Sequence, residues 1–146
     1  IFITSIFLLG SLNSCTTKPE TPQTSTEMIK NIAITQTQLG DGYKLKNSFS
    51  VTPENLKAFE RKFGTNIDQL RNDIFLFNGE KLQINYIEAP AAQQTDEIYT
   101  QLVEMVGGSN VVAQKENIVI EIISGDIAVK NTVIDLLKPD KVHKHY

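Results

Sequence analysis

Ile74–Ile87 reads Ile-Phe-Leu-Phe-Asn-Gly-Glu-Lys-Leu-Gln-Ile-Asn-Tyr-Ile and decides the fold predicted for this chain. Two runs rich in β-branched and aromatic residues flank Asn78-Gly79, a pair that favours a type I′ turn because both turn residues need positive φ. Alternation in the second run places Gln83 and Asn85 on one face of the strand and its apolar residues on the other. The stretch therefore predicts a β-hairpin with one apolar face.

The elements that follow this hairpin repeat its order with helices added. The sequence predicts a helix that Thr95 caps and that runs through Val106, a hairpin of Asn110–Gln114 and Ile118–Ile123, and a helix over Asp126–Leu137. Two strand-strand-helix units can share one antiparallel sheet with both helices on one face. The predicted fold is therefore α+β, a two-layer sandwich with a mainly antiparallel sheet and helices packed on one face.

The segment before the first hairpin gives weaker signals. Apolar residues alternate over Asn31–Thr37, which predicts a strand, and a loose alternation continues from Tyr43 to Val51. Thr52 is expected to cap a helix that Pro53 begins, and this helix ends at Gly64. Residues 66–71 could add one more helical turn.

The first fifteen residues differ in character from the rest of the chain. Their apolar run is too short to span a bilayer as a helix but has the length of a signal-peptide core. It ends in Leu12-Asn13-Ser14-Cys15, which resembles the lipobox of bacterial lipoproteins. The basic n-region and an initiator methionine are missing, so we interpret the sequence as starting inside a signal peptide. The alternative interpretation is a buried N-terminal strand or helix that ends in cysteine.

The resemblance implies that residues 1–14 are a signal peptide, that Cys15 is lipidated, and that the protein is exported and anchored in a bacterial membrane. Thr16 stands where some lipoproteins carry an aspartate that retains them in the inner membrane, so the resemblance favours the outer membrane. Residues 15–28 are predicted to be the lipidated cysteine and a flexible spacer, because they offer almost nothing apolar to bury. Residues 29–139 are predicted to form a single domain, and residues 140–146 are predicted to be a polar, mobile tail.

Composition and residue types exclude several classes of function. The formal net charge is −3, and no basic stripe points to a nucleic-acid partner. Cys15 is the only cysteine, so no disulfide forms within the chain and lipid would block its thiol. His143 and His145 lie in the predicted tail, where they lack rigid support for catalysis and further ligands for a metal. We expect no cofactor.

Four acidic residues were candidates for carboxylate chemistry, namely Asp68, Asp73, Glu88 and Asp96, and we interpret them as solvated or capping residues. The open face of the sheet is a better candidate site, because Gln83, Asn85 and Glu121 are predicted there among β-branched residues. The alternative is that the N-terminal strand or the helix over residues 52–63 covers this face.

Two functional hypotheses follow. In the first, the chain is a lipid-anchored envelope module that touches the membrane through its lipid and binds or assembles a protein partner. In the second, it is a small periplasmic enzyme or ligand carrier that uses carboxylates in a pocket between sheet and helices. A deep polar cavity would favour the second hypothesis, and a flat apolar patch would favour the first.

Overall fold

The computed structural model describes residues 25–105, 108 and 110–146, with side chains from residue 28 onward. Its helices are α1 (Ser25–Ile32), α2 (Gln36–Leu39), α3 (Pro53–Phe63), α4 (Ala92–Met105) and α5 (Ile127–Leu137). Its strands are β1 (Tyr43–Ser50), β2 (Gln69–Phe77), β3 (Glu80–Glu88), β4 (Val111–Lys115), β5 (Ile118–Ile123) and β6 (Lys141–Lys144). The described strands form one antiparallel sheet of order β1-β2-β3-β5-β4-β6, so the predicted α+β class with an antiparallel sheet is confirmed.

The first hairpin sets the register of the sheet. Phe77 pairs with Glu80 across a two-residue turn in which Asn78 has φ 51° and Gly79 has φ 81°. Positive φ at both positions is the signature of a type I′ turn, so the predicted turn is confirmed. The same register pairs Asn72 with Asn85 at the middle of the two strands.

The sheet carries a separate hydrophobic cluster on each face. On what we call the first face, Ile84, Ile120 and Val111 join buried residues of α1, α2 and α5. On the second face, Val112 and Val119 join Phe63, at the end of α3, and buried residues of α4. Successive side chains of a strand point to opposite faces, so strands that are apolar throughout, such as β4 and β5, need a cover on both sides.

The helices of the two strand-strand-helix units therefore lie on opposite faces. α5 packs on the first face, and α4 packs on the second. The helix α3 packs on the second face beside α4. The alternative prediction, that the helix over residues 52–63 covers this face, is therefore partly confirmed. None of the helices in the described part of the chain is both long enough and apolar enough to cross a membrane.

The prediction of a strand over Asn31–Thr37 is wrong. α1 ends at Ile32 and α2 begins at Gln36, where Thr35 and Gln38 form a reciprocal capping box. The Ala33 amide donates a hydrogen bond to the Ile29 carbonyl oxygen over 2.7 Å, which is the i to i−4 bond of an α-helix and does not form within a strand. α1 also begins at Ser25, inside the segment predicted to be spacer.

Two predictions for the middle of the chain are also wrong. Residues 66–71 add no helical turn, because β2 begins at Gln69 and pairs with β3 up to Glu88. Thr52 makes no side-chain capping hydrogen bond, although Pro53 does begin α3 and Gly64 follows its end with φ 65°.

Thr95 does not cap α4, which begins three residues earlier, at Ala92. The Thr95 side chain is fully buried, and its hydroxyl donates a hydrogen bond to the carbonyl oxygen of Ala91 over 3.0 Å.

The polar C-terminal tail is a strand, so the prediction of a mobile segment is wrong. β6 pairs with β4 along its whole length and is anchored by the Asp140 amide, which donates to the Gln114 carbonyl oxygen. The Lys141 ammonium lies 2.7 Å from the Asp96 carboxylate on α4. Backbone pairing orders this segment without apolar burial, and that kind of stabilisation leaves no hydrophobic pattern in the sequence.

Candidate functional site

A row of side chains crosses the second face of the sheet near its centre. Phe49 pairs with Asn72, Asn72 with Asn85, and Asn85 with Glu121, so the row takes one residue from each of four neighbouring strands. Directly paired residues project on the same side of a sheet. Asn85 and Glu121, which the sequence placed on one open face, are therefore neighbours in the structure.

The polar members of this row belong to a hydrogen-bonded network that we call the polar band, formed by Asn72, Gln83, Asn85, Asn110 and Glu121. The Asn85 Oδ1 atom accepts from Asn72 Nδ2 and, over 3.2 Å, from Gln83 Nε2. The Asn85 Nδ2 atom donates to Glu121 Oε2 over 2.9 Å. Glu121 Oε1 accepts from Asn110 Nδ2 over 3.2 Å. Both carboxylate oxygens of Glu121 are thus oriented by amide donors.

Asn72 is the member of the polar band with an unused acceptor. Its side chain is 6% exposed, and its Oδ1 atom has no hydrogen-bond partner among the described residues. A buried polar atom without a partner costs about 1–3 kcal/mol. Asn72 lines a cavity on the second face, so a ligand in that cavity could supply the missing donor.

This cavity, which we call the groove, lies between α3 and the polar band and has a volume of about 300 Å³. Its apolar lining comes from Phe59 and Phe63 on α3, from Phe49 on β1, and from neighbouring aliphatic side chains: Val51, Leu70, Ile87 and Leu102. Asn72, Gln83, Asn85 and Glu121 form its polar side, with Lys62 as the cationic lining residue. Mostly apolar walls with a few convergent polar groups are typical of ligand sites.

The sequence explains how α3 comes to form one wall of the groove. Phe59 and Phe63 lie one turn apart on the same face of the helix, and this face packs on the second cluster of the sheet. The helix starts at Pro53, whose fixed φ suits the first helical position. Phe49 stands on β1 at the opposite side of the groove and remains 47% exposed.

Two acidic residues that we interpreted as solvated or capping are buried. Asp73 is 0% exposed, and its Oδ1 atom accepts from Ser48 Oγ over 2.5 Å and from Arg71 Nε over 2.9 Å. Asp73 and Phe75 share the face of β2 that packs on the first cluster, so their two-residue spacing was a signal that could have revealed the burial.

Glu88 is the second buried acid, with 2% of its surface exposed. Burial, reinforced by the nearby carboxylate of Asp68, raises the pKa of Glu88 to about 7. The interpretation of Asp96 as a surface residue holds, because it is exposed and its Oδ1 atom accepts from Lys141 and Gln114. None of these acids lines the groove.

The remaining sequence candidates lie apart from the groove. His143 lies on β6 and His145 follows just after its end, with the two ring centroids 4.4 Å apart; the His145 amide donates to the Asn110 carbonyl oxygen over 3.3 Å. Among the described residues, no cluster of three or more histidine, cysteine or acidic side chains could hold a metal. Cys15 and the predicted signal peptide lie outside the described residues.

Comparisons with known proteins give no information on the function of this chain. No family model matches this chain, and the comparisons with curated proteins and with solved structures found no match. The groove is therefore a candidate site because of its own lining, hydrogen bonds and unused acceptor.

Proposed function

We propose that this chain is a lipid-anchored cell-envelope protein whose folded domain is a binding module, with the groove as its binding site. The observation that carries the proposal is the unused Asn72 Oδ1 atom beside an otherwise paired polar band under aromatic walls. Side chains that are already oriented lose little freedom when a ligand binds, and this preorganisation favours affinity. The lipid anchor is proposed from the lipobox resemblance at Leu12–Cys15.

The groove combines features of both functional hypotheses. Phe49 and the rest of β1 are open to a large partner, since this strand is at the edge of the sheet and seven of its eight residues are exposed. The polar band and the cavity volume of about 300 Å³ also suit a small ligand, which would make the chain a carrier. Both versions use the same site, so one experiment can first establish that the groove is occupied in the cell.

A photo-crosslinking amino acid placed at position 49 tests the proposal in intact cells. We expect it to trap an envelope component, because residue 49 stands at the exposed side of the groove. The matched control is the same crosslinker at position 45, which has nearly the same exposure (46% against 47%) but pairs with Phe75 on the first face.

The specificity of the trap is tested with Asn85→Ala in the chain that carries the crosslinker at position 49. Loss of the trapped species in this variant, with a normal circular dichroism spectrum, would tie binding to the polar band. Equal trapping from positions 45 and 49, or trapping that Asn85→Ala leaves unchanged, would contradict the groove as the binding site.

The size of the trapped component separates the two versions of the proposal. A species much heavier than the chain alone would indicate a macromolecular partner. A mass increase of a few hundred daltons would indicate a small ligand, for which a groove of about 300 Å³ has room.

A further inference from the structure

We propose that the groove binds a neutral saccharide, with a sugar ring lying over the polar band between Phe49 and Phe59. This inference rests on the proposed function, because it names the ligand class of the same groove. Four observations support it: the hydrogen-bonding groups that are left for a ligand, the aromatic walls, the balance of charge, and the position of the polar band within the sheet.

The hydrogen-bonding groups of the polar band match hydroxyl or acetamido groups. Asn72 Oδ1 needs a donor, and a hydroxyl can donate one hydrogen bond while it accepts others. Each amide nitrogen carries two hydrogens, and the bonds described above use one each from Asn72 and Asn85. Asn72 and Asn85, which line the groove, thus bring an unpaired acceptor and unused amide hydrogens to its polar side, and a sugar hydroxyl can pair with either kind of group.

The aromatic walls match the apolar C–H face of a sugar ring. Phe49 is half exposed, and Phe59 on α3 is half buried, so both retain surface that a ligand can cover. Covering apolar surface contributes about 25 cal/mol per Å², and aromatic rings supply large, rigid contact areas. A volume of about 300 Å³ suits a single ring with part of its neighbour.

The charges around the groove favour a ligand without net charge. Lys62 and Glu121 are the charged residues in its lining, one of each sign. An anionic ligand would meet the Glu121 carboxylate at the polar band, and a cationic ligand would meet the Lys62 ammonium. The charges in the lining therefore cancel, and the groove does not attract a ligand of either sign.

The position of the polar band within the sheet favours a saccharide over a peptide. Asn72, Asn85 and Glu121 belong to β2, β3 and β5, which have paired neighbours on both sides. Backbone groups in such strands are engaged in the sheet, so an extended peptide cannot add as a strand there. Recognition at the polar band must then use side chains, and a sugar ring presents several hydroxyls to side chains from one rigid frame.

Isothermal titration of the full chain in detergent tests the inference. The probes are two neutral saccharides, chitotriose and maltotriose, and one neutral capped peptide, N-acetyl-Ala-Ala-Ala-amide. We expect at least one saccharide to bind and Phe49→Ala to weaken that binding about tenfold or more, which is about 1.4 kcal/mol. The matched control Leu45→Ala, on the same strand and equally exposed but on the first face, should bind as the unmodified chain does.

Three results would overturn the inference. They are the absence of saccharide binding at millimolar concentration, equal saccharide binding by Phe49→Ala and Leu45→Ala, and a Phe49-dependent preference for the capped peptide. The last result would leave the groove as the binding site and change only its ligand. Crosslinking from position 49 in cells without saccharide binding would likewise keep the proposed function and reject the sugar.

Discussion

Burial changes the effect of individual residues on stability, and Glu88 is the clearest case. Its pKa rises from 4.5 to about 7, chiefly because burial disfavours the charged form. Between these two pH values the folded state holds more protons than the unfolded state, so stability falls as pH rises through this window. Above about pH 7 stability falls no further, because Glu88 is then ionised in both states, and burial of its carboxylate destabilises the fold.

We expect Glu88→Gln to stabilise the fold at pH 8 by about 1–3 kcal/mol, since each pKa unit corresponds to about 1.4 kcal/mol. The glutamine keeps the shape of the side chain and cannot ionise. At pH 4 the difference should nearly vanish, because Glu88 is then mostly protonated in both states. Urea titrations at the two pH values measure this, and Glu104→Gln on the exposed side of α4 is the control. A constant difference at both pH values would contradict the raised pKa.

Asn85, Glu121 and Asn72 show which residues of the polar band the sequence could predict. Alternation along β3 and β5 placed Asn85 and Glu121 on one face, because period-two alternation is a local property of a strand. Asn72 is not predicted as a site residue, because the polar residues around it have poor strand propensity and the predicted strand starts only at Ile74. Pairing with β3 makes it a strand residue, and that pairing is a tertiary effect.

At the scale of elements, the first hairpin is the feature on which the polar band depends. A slip of one residue in its register would send Gln83 and Asn85 to the first face. The register is held by the turn, in which Gly79 has φ 81° and a Cβ atom at this position would meet no neighbouring atom. Any cost of a side chain there is therefore backbone strain and not a clash.

We expect Gly79→Ala to destabilise the fold by about 1 kcal/mol or more, because alanine resists positive φ. Glu80→Gln beside it is exposed and should cost less than about 0.5 kcal/mol. Thermal unfolding followed by circular dichroism gives both values. If both substitutions had the same negligible effect, the turn would not depend on a glycine at position 79, which would contradict this prediction.

The strand β6 gives a second test at this scale. Without it, β4 would become the edge of the sheet and lose its pairing from Val111 to Gln114. Removal of residues 140–146 should therefore lower the midpoint of thermal unfolding and expose an edge that promotes association. Removal of Tyr146 alone keeps β6 and is the control. Equal midpoints for both truncations would show that β6 adds nothing to stability.

The whole molecule divides into two faces with different degrees of cover. Helices α1, α2 and α5 close the first face, whereas α3 and α4 leave the polar band partly accessible on the second. The sequence predicted the two hairpins of the sheet and the alternation on them, but neither β6 nor the start of β2. It could not predict that α4 and α5 take opposite faces, because strands with apolar residues on both sides fit either arrangement.

The position of α1 connects the folded domain to the proposed anchor. Residues 16–24 separate Cys15 from α1, which packs on the first face, whereas the groove opens on the second. We therefore expect anchoring and binding to be separable properties of this chain.

Cys15→Ala tests the anchor itself. We expect the variant to incorporate no labelled palmitate and to accumulate as an unprocessed precursor, since the lipobox resemblance places both lipid attachment and cleavage at this cysteine. Thr16→Ala is the matched control and should be processed normally, while Thr16→Asp should shift the mature protein towards the inner membrane of a double-membrane bacterium. Fractionation and gel mobility measure all three. A Cys15→Ala protein of mature size that still partitions into the detergent phase would rule out the lipobox. This result would leave the proposal of saccharide binding by the groove unaffected, because that proposal rests on the folded domain.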